Sequence, residues 1–287
     1  MNTATPVTPT NSQRVSKETY KELVDWIERN CGIALGDSQA YLVETRFAPI
    51  IFKLHCQSFE ELVKKLKTSV TAALKDEIID AITTNETLWF RDPSIWKHLE
   101  DSFLKEFLES GSAKKRIWSA AASSGQEIYS LAMLLDKISK RNPRLRDKVL
   151  ATEMLATDVS KNILDVAKRG RYSRLEMSRG LAEEYKNQYF DKDRLFSSIK
   201  REIKNRVKFD TRNLQSPLGQ LGKFDMILCR NVTIYFSKQF RQDLLYRLEE
   251  SLNPGGVLIL GATESIIGLK TSLKIRPGKP PSFYFKD

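Results

Sequence analysis

The chain has 287 residues, of which 41% are hydrophobic and 29% charged, the composition of an ordinary soluble protein with one large or two modest cores. Its formal net charge of +11 favours an acidic partner, and nucleic acid, anionic lipid and acidic proteins all qualify. The sequence contains only two histidines, His55 and His98, which argues against histidine-ligated metal chemistry and against Ser-His-Asp catalysis.

No apolar run approaches membrane-spanning length, and the first residues, MNTATPVTPTNSQ, are polar and rich in Pro and Thr. They lack the apolar core of a signal peptide, so we expect residues 1–15 to form a disordered tail. The three cysteines, Cys31, Cys56 and Cys229, are far apart and odd in number. This usage indicates reduced thiols in a cytoplasmic protein, without a disulfide framework or a zinc site.

Residues 16–84 have helical periodicity and no strand-like alternation, which predicts a small all-helical domain of four or five helices. Ser16 is the expected N-cap of the first helix and Gly32 its C-terminal stop. The domain is locally basic at Arg46, Lys53, Lys64, Lys65 and Lys67. Such charges usually form a solvated helix face, and a docking role needs support from context.

Residues 83–92, TTNETLWFRD, place polar Asn85, Thr87 and Arg91 around an aromatic pair just ahead of Pro93. One interpretation is a simple junction with core aromatics and an Asn85 turn cap. A buried junction that carries an arginine still needs a partner for that charge, and a ligand carboxylate would supply one.

The helix SIWKHLEDSFLKEFLES leads into a predicted strand at 116–120, a loop of small residues at 121–125, and a helix. Ser124 and Glu127 have capping-box spacing, so we expect the helix to begin there. The loop lacks the G-x-G-x-x-G fingerprint and no lysine follows Gly125, which excludes a P-loop. Small side chains without phosphate-binding glycines suit an adenosine ligand such as S-adenosylmethionine. A tight strand-to-helix turn without ligand is the alternative.

That helix should end near Lys140 and be followed by a polar loop, RNPRLRDK. The next apolar run, VLATEMLATDVS, predicts a strand that ends at Asp158. An acidic residue at the carboxyl end of the second strand is where nucleotide-binding sheets hold ribose hydroxyls. Alternatively, Asp158 caps the following helix, KNILDVAKRG.

Residues 189–212 show partial two-residue alternation, which predicts short antiparallel strands followed by a sheet strand, VKFDTR, with Asn213 and Leu214 at its carboxyl end. FDMILCRNV is a further buried strand that ends in Asn231. A helix, SKQFRQDLLYRLEESL, then stops at Asn-Pro-Gly-Gly, the strand VLILGATES follows, and LKIRP with SFYFK should form a terminal hairpin. This alternation indicates an α/β fold with a doubly wound sheet.

Four segments together resemble the chemoreceptor glutamate methyltransferase family (CheR). They are NETLWFR at 85–91, RIWSAAASSGQEIYSLAM at 116–133, ATDVSKNILDVAKRGRYS at 156–173, and FDMILCRNVTIYF at 224–236 with NPGGVLILGATES at 253–265. They occur in the family's order. The resemblance implies a methyltransferase-type sheet at 85–287 with an N-terminal helical domain at 16–84 and an antiparallel β-subdomain near 189–212.

The resemblance also implies a cytoplasmic enzyme that transfers methyl groups from S-adenosylmethionine, without a metal, to glutamate side chains on the cytoplasmic helices of chemotaxis receptors. This reaction serves adaptation in bacterial chemotaxis and releases S-adenosylhomocysteine. Residues implied around the cofactor are Asn85, Thr87, Arg91, Ala121, Glu127, Asp158, Asn213, Leu214, Asn231 and Val232. Tyr235 is implied beside Arg91 near the transferred methyl group, and both are expected to act in catalysis.

The sequence departs from the family pattern at two places. The family commonly has Gly-Glu-Glu-Pro-Tyr where this chain has Gly-Gln-Glu-Ile-Tyr at 125–129, but the acidic residue expected to contact ligand, Glu127, is kept. Trp89 stands where phenylalanine is usual, which preserves an aromatic wall. Some family members dock a receptor's C-terminal peptide on the β-subdomain by strand addition, and residues 190–206 occupy that place here.

Two other hypotheses use the same residues. The basic charge suggests a nucleic-acid methyltransferase, but DNA amino-methyltransferases typically carry an acidic or Asn-Pro-Pro-aromatic motif where this chain has Cys-Arg-Asn-Val-Thr at 229–233. The second alternative hypothesis is a regulatory module that binds the cofactor without catalysing methyl transfer. The presence of Arg91 and Tyr235 argues against it.

Overall fold

A computed structural model describes residues 14–112 and 114–287. Most of the expected tail, residues 1–13, therefore lies outside the described part of the chain. The chain divides into two compact units, which separate between Thr84 and Asn85. Within the described ranges, no helix is both long and apolar enough to cross a membrane.

The first unit is all-helical, as its periodicity predicts. Its α-helices are α1 (Lys17–Cys31), α2 (Ala40–Lys53), α3 (Phe59–Thr68) and α4 (Ala72–Ile82). The expected caps of α1 are confirmed: the Ser16 hydroxyl accepts the Thr19 N–H at 3.2 Å, and Gly32 ends the helix at φ 78°. The apolar faces meet in a core whose fully buried members include Leu23, Ile27, Val43, Phe47, Leu62 and Ile78.

The second unit is built on strands in two sheets. The strands of its described residues are β1 (Arg116–Ala120), β2 (Glu153–Asp158), β3 (Arg171–Ser173), β4 (Phe190–Lys192), β5 (Phe196–Ile199), β6 (Val207–Thr211), β7 (Phe224–Cys229), β8 (Leu252–Ile259) and β9 (Phe283–Phe285). The larger sheet has the order β6-β2-β1-β7-β8-β9, in which only β9 is antiparallel to its neighbour. Its central strands are buried and strongly apolar, as expected for a parallel sheet covered on both faces.

The sheet reverses its strand order between β1 and β7. From β1 the chain proceeds outward through β2 and β6, and it then returns to place β7 on the other side of β1. In register, Ala120 of β1 pairs with Thr157 of β2 and with Cys229 of β7, so the three strands end at one edge. Ligands of open α/β sheets bind at the carboxyl ends of the strands at such a switch point.

Helices connect these strands and cover the sheet. They are α5 (Pro93–His98), α6 (Leu104–Glu109), α7 (Gln126–Arg141), α8 (Arg146–Ala151), α9 (Lys161–Arg169), α10 (Arg174–Ser178), α11 (Glu183–Tyr189), α12 (Arg201–Lys204) and α13 (Lys238–Glu250). A π-helical stretch, Leu99–Phe103, joins α5 to α6. Helix α7 buries ten of its sixteen residues against the sheet, which makes it the central covering helix.

The smaller sheet is antiparallel, in the order β3-β5-β4. Strands β4 and β5 lie within residues 189–212, where short antiparallel strands were predicted. Strand β3 lies upstream of that segment and has only three residues, which are too few to show alternation. The strand interpretation was wrong for residues 201–204, which form α12. The predicted sheet strand VKFDTR is confirmed as β6, which pairs with β2 in the larger sheet.

The predicted capping box at the start of α7 was wrong. The helix begins at Gln126, and its N-cap is Gly125 in a left-handed conformation at φ 84°, with no side-chain cap. The Ser124 carbonyl instead accepts the Tyr172 hydroxyl at 2.8 Å. Glu127 is consequently available for contacts outside its own helix.

Two further local predictions were wrong. The stretch RNPRLRDK is not a polar loop: residues 146–151 form α8, which is short and buries only Val149, so it shows no periodicity. The terminal hairpin is reduced to a single bridge between Lys274 and Phe285. The strand β9 pairs instead with β8, which buries all three of its aromatic residues.

Candidate functional site

The loop that follows β1 connects two other segments at the switch point. The Ser123 N–H donates to Asp158 Oδ2 at 2.8 Å, and the Ser123 hydroxyl donates to the Asn85 carbonyl at 2.8 Å. One residue of the small-residue loop thus brings Asn85 and the end of β2 together with Ala121. These are three of the segments that the sequence predicts to share a site.

Backbone strain is concentrated in the same region. Among the described residues, six non-glycine residues have positive φ, and five belong to the segments that meet at the switch point: Phe90, Asp92, Ala121, Ser123 and Asn231. Each such conformation costs about 1–3 kcal/mol and persists only where surrounding structure imposes it. Clustered strain of this kind is typical of ligand sites.

Asp158 lies at the carboxyl end of β2 and is 6% exposed. In addition to Ser123, it accepts the Ser160 N–H at Oδ1, 3.0 Å. The alternative interpretation, in which Asp158 caps the next helix, was wrong, because the N-cap of α9 is Ser160, whose hydroxyl accepts the Ile163 N–H. The two backbone amides fix the orientation of the Asp158 carboxylate.

Glu127, in the first turn of α7, points to the neighbouring strands. Its Oε1 accepts the Ser119 hydroxyl at 2.8 Å, and its Oε2 pairs with Arg230 Nη1 at 2.8 Å. The side chain of Arg230 is only 1% exposed. A buried ion pair of this kind holds both groups in place, because removing either would leave an uncompensated charge.

Arg230 also joins the segment around Arg91 to the site. Its Nη2 donates to the Arg91 carbonyl at 2.6 Å and pairs with Asp92 Oδ2 at 2.9 Å. The same Asp92 oxygen accepts the Ala262 N–H at 3.0 Å, from the loop after β8. Sequence reasoning missed Arg230, although a charged residue directly after a buried apolar strand is a signal that could have drawn attention to it.

Glu264 fixes the loop after β7 and was also missed. Its carboxylate accepts the N–H groups of Asn231, Val232 and Thr233 at 2.6–3.0 Å, and the Thr233 hydroxyl at 2.7 Å. It accepts the Gly261 N–H as well, at 2.8 Å. A Cβ at Gly261 would lie 2.7 Å from Asn231 Nδ2, so only glycine permits this close approach.

The remaining predicted residues occupy the edges of this arrangement. The Arg212 N–H donates to the Asp158 carbonyl at 2.8 Å, which places Asn213 and buried Leu214 beside the end of β2. Thr87 and Tyr235 are half-buried, Tyr235 in a single helical turn after Val232. Within the described chain, the side chains of Thr87 and Tyr235 form no hydrogen bond with the other predicted site residues.

The charges at this edge are mainly negative, although the whole chain is strongly basic. Four carboxylates, those of Asp92, Glu127, Asp158 and Glu264, lie there with the guanidinium of Arg230, while the side chain of Arg91 donates to the Glu86 carbonyl at 3.4 Å. S-adenosylmethionine carries a sulfonium and an ammonium, which such a site would attract. The donor set and the small-residue loop therefore fit this ligand.

The thiol of Cys229 at the end of β7 is fully buried. Burial raises the pKa of the Cys229 thiol well above its ordinary value, and the carboxylates of Glu264 and Glu127 add to the increase. Because the thiolate is the nucleophilic form, Cys229 is not a nucleophile at neutral pH.

Comparison with known proteins identifies the family. The profile of the CheR methyltransferase SAM binding domain matches residues 85–280, and that of the CheR methyltransferase all-alpha domain matches residues 18–83. The chain belongs to the CheR methyltransferase family. The predicted family and fold class are thereby confirmed: an N-terminal all-α domain precedes a SAM-binding methyltransferase domain with a six-stranded mixed sheet and a three-stranded antiparallel sheet.

Curated relatives match this CheR-family chain over almost its whole length. Chemotaxis protein methyltransferase 1 of Vibrio cholerae is 39% identical over 94% of this chain and 97% of its own length. Chemotaxis protein methyltransferase 1 of Pseudomonas aeruginosa is 41% identical over 90% of this chain and 94% of its own. A chemotaxis protein methyltransferase of Borreliella burgdorferi is 32% identical over 92% of this chain.

Proposed function

We propose that this CheR-family protein transfers the methyl group of S-adenosylmethionine to glutamate side-chain carboxylates of chemotaxis receptors. The products are glutamyl methyl esters and S-adenosylhomocysteine. The observation that carries the proposal is the carboxylate-rich switch point between β1 and β7, found in a chain that contains both domains of the family. The names of the curated relatives support a role in chemotaxis.

The residues that would hold the cofactor follow from the chemistry of its parts. Asp158, with its carboxylate oriented by two backbone amides, would accept the ribose hydroxyls. Glu127, fixed by Arg230, would pair with the methionine ammonium. The amides of Asn213 and Asn231 would read the adenine edges or hold the methionyl group. The remaining predicted contacts come from Asn85, Thr87, Ala121, Leu214 and Val232.

Arg91 and Tyr235 are the proposed catalytic residues. Arg91 is half-buried and would clamp a carboxylate, that of the substrate or that of the cofactor. Tyr235 would position the acceptor glutamate from the turn after Val232. Neither role requires a general base, since an ionised glutamate is already a nucleophile.

When bound, S-adenosylmethionine supplies a methyl group activated by a positively charged sulfur. Glu127 and Asp158 would hold the cofactor so that a substrate carboxylate oxygen could accept this methyl group with loss of the neutral thioether, which requires no proton transfer. The residues of this chain contribute alignment of the acceptor and exclusion of water from the site. Arg230 and Glu264 act through other groups, because they hold the segments that carry Arg91, Glu127 and Val232.

Two surfaces are proposed to bind the receptor beyond the acceptor residue itself. The basic face of α2, with Arg46 and Lys53, would dock on acidic methylation helices. The outer strands of the β3-β5-β4 sheet are β3 and β4, and a receptor's C-terminal peptide would add beside one of them as a further strand.

The decisive experiment offers the protein methyl-labelled S-adenosylmethionine with receptor-bearing membranes or with nucleic acid. We expect label in the receptor band, and its release as methanol on mild alkaline treatment, which distinguishes a carboxyl methyl ester from a methylated amine. Label in nucleic acid would favour the alternative suggested by the net charge. Cofactor binding without any transfer would favour a regulatory module.

A further inference from the structure

A groove of about 670 Å³ lies beside the switch point in the second unit. Its walls come from the start of α5, from the loop after β8 and from the C-terminal segment. We call it the C-terminal groove. Ala262, Glu264, Ile267, Lys274 and Ile275 are among its lining residues.

The C-terminal groove shares two walls with the candidate site. Glu264 lines the groove and also holds the N–H groups of Asn231 and Val232. Ala262 lines the groove and donates its N–H to Asp92, the residue after Arg91. Anything seated in the groove therefore lies next to the segments that carry the proposed catalytic residues.

Two isoleucines of the groove are exposed to solvent. Ile267 is 91% exposed and Ile275 is 52% exposed, while Ile234, in the turn that contains Tyr235, is 51% exposed. Single exposed apolar side chains are common, but two large ones that line one groove gain free energy when a partner covers them. The surface favours a partner that presents apolar side chains.

The charge around the groove selects the kind of partner. Residues 266–287 contain five lysines and arginines, and three of them pair with carboxylates: Lys274 with Asp287, Lys279 with Glu106 and Lys286 with Glu250. Arg276 instead lies 4.4 Å above the Phe285 ring and forms no ion pair within the described chain. Arg276 and Lys270 are both exposed and would attract carboxylates on a partner.

We propose that the C-terminal groove binds the stretch of substrate protein that flanks the acceptor glutamate, with apolar side chains against Ile267 and Ile275 and acidic side chains towards Arg276. This inference rests on the proposed function and adds to it the surface that selects the substrate. An acidic segment with interspersed apolar residues matches both the charge and the exposed isoleucines. Its position beside Glu264 and Asp92 directs the neighbouring glutamate to the switch point.

The test compares the double variant Ile267→Ala/Ile275→Ala with the double variant Leu150→Ala/Tyr246→Ala. Leu150 and Tyr246 are each 61% exposed and lie outside the groove and outside the other proposed receptor surfaces, so they control for the loss of surface apolar groups. Initial rates of methyl transfer are measured against the concentration of receptor-bearing membranes. We expect the KM for receptor to rise roughly tenfold in the groove variant, the scale of effect for truncated interface anchors. Its kcat and its Kd for S-adenosylmethionine should stay unchanged, as should all constants of the control.

Reversal of the charge at Arg276 is a second, independent test of the inference. Arg276→Glu should raise the KM for receptor at low ionic strength and weaken its salt dependence, while Arg276→Gln has an intermediate effect. An unchanged KM in both the isoleucine variant and the charge variant overturns the inference.

The proposed function and this inference fail differently. If the native protein transfers no methyl group to receptors, the proposed function is wrong. If the native protein does so and the groove variant has a native KM, only the groove assignment is wrong. Sedimentation of the native chain is the third measurement: a concentration-dependent dimer that the isoleucine variant loses would show that a second copy covers the groove, which also overturns the inference.

Discussion

Arg230 Nη1 lies 2.8 Å from Glu127 Oε2, in an ion pair that joins the end of β7 to the first turn of α7. Arg230 reaches further, to Asp92, and thereby ties three segments of the switch point together. Because Arg230 is buried in this pair, the pair contributes more to fixing the positions of its side chains than to the free energy of unfolding. The ion pair fixes the orientation of the Glu127 carboxylate, which is proposed to bind the methionine ammonium.

Replacement of Arg230 by methionine should destabilise the second unit by about 3 kcal/mol, because the carboxylates of Asp92 and Glu127, only 22% and 13% exposed, would lose their cation. The measurement is urea unfolding of the full chain. Arg141→Met is the matched control: Arg141 pairs with Glu100 but is 61% exposed, and its loss should change stability by less than about 1 kcal/mol. Equal effects of the two substitutions would show that Arg230 is not held by its partners.

The ion pair also explains a limit of sequence reasoning. The strand β1, the loop and α7 were predictable, because each has a local pattern of apolar or small residues. The capping contact of Glu127 with Ser124 was predicted from local spacing and was wrong: Glu127 pairs with Arg230, which is 103 positions away in sequence. Only the parallel pairing of β1 with β7 brings the two together, and no periodicity encodes that contact.

The sequence pattern failed to predict some short and exposed elements, for a different reason. Helix α8 buries only Val149, and β3 has three residues, so neither offers enough positions for a period to appear. The position of Asp158 at the end of β2 was predicted correctly, because a buried strand has a clear apolar run and the acidic residue follows it. Its predicted contact with ligand stays a prediction.

Replacement of Glu264 by glutamine should lower turnover more than stability. One acceptor oxygen becomes an N–H group that faces backbone donors of the Asn231–Thr233 loop, at a cost of about 1–3 kcal/mol. The loop should shift and misplace Tyr235, so kcat for receptor methylation should fall at least about tenfold if roughly 1.4 kcal/mol of that cost appears in the transition state.

Asp225→Asn is the control for Glu264. Asp225 accepts the Arg116 N–H at 2.8 Å and the Asn253 side chain at 3.0 Å, but at the opposite end of β7. The Asp225→Asn variant should lose about as much stability as the Glu264→Gln variant but keep the native kcat. If the two variants lose turnover in proportion to stability, Glu264 has no specific role in positioning the loop.

Asp158→Ala should lose about 1–3 kcal/mol of binding free energy for S-adenosylhomocysteine, because ligand hydroxyls would be left without a charged acceptor. Titration calorimetry measures the loss. Ser160→Ala removes the true cap of α9 and should cost about 1 kcal/mol of stability while leaving the affinity intact. Native affinity in Asp158→Ala would assign this carboxylate to the support of the loop at Ser123 alone.

The basic face of α2 contains two cations with different surroundings. Arg46 Nη1 donates to the Ile82 carbonyl at 2.6 Å and so holds the end of α4, whereas Lys53 is 66% exposed and pairs with Glu77. Arg46→Glu should therefore lower the thermal stability of the helical unit. Lys53→Glu should change stability by less than about 1 kcal/mol, since its pair with Glu77 is exposed, but raise the KM for receptor, most strongly at low salt.

Lys53→Gln is the intermediate in this series, since it removes the charge without reversing it. Receptor methylation that is indifferent to both Lys53 substitutions and to ionic strength would mean that this face only solvates the helix.

Methyl transfer to an ionised glutamate requires no base, so its rate should be nearly independent of pH around neutrality. The acceptor has a reference pKa of about 4.3 and is deprotonated there. Burial keeps the Cys229 thiol protonated by raising its pKa, and it lowers the pKa of His98, with Lys279 adding to that decrease. Because the folded chain protonates His98 less readily than the unfolded chain, the stability linked to His98 is complete above about pH 6.5 and is lost as the pH falls below it.

The measurement is a single-turnover rate of methyl transfer from about pH 6.5 to 8.5, with circular dichroism at each pH to separate chemistry from unfolding. We expect a flat rate over this interval and, below it, a lower stability of the fold, in the direction that the His98 effect predicts. His98 packs against Phe103 and Phe283 rather than in the switch point, so His98→Phe should reduce the acid sensitivity without changing the plateau rate. A rate that rises steeply with an apparent pKa near 7 while the fold stays intact would contradict the base-free mechanism, because it would require a titrating group on the enzyme that takes a proton during transfer.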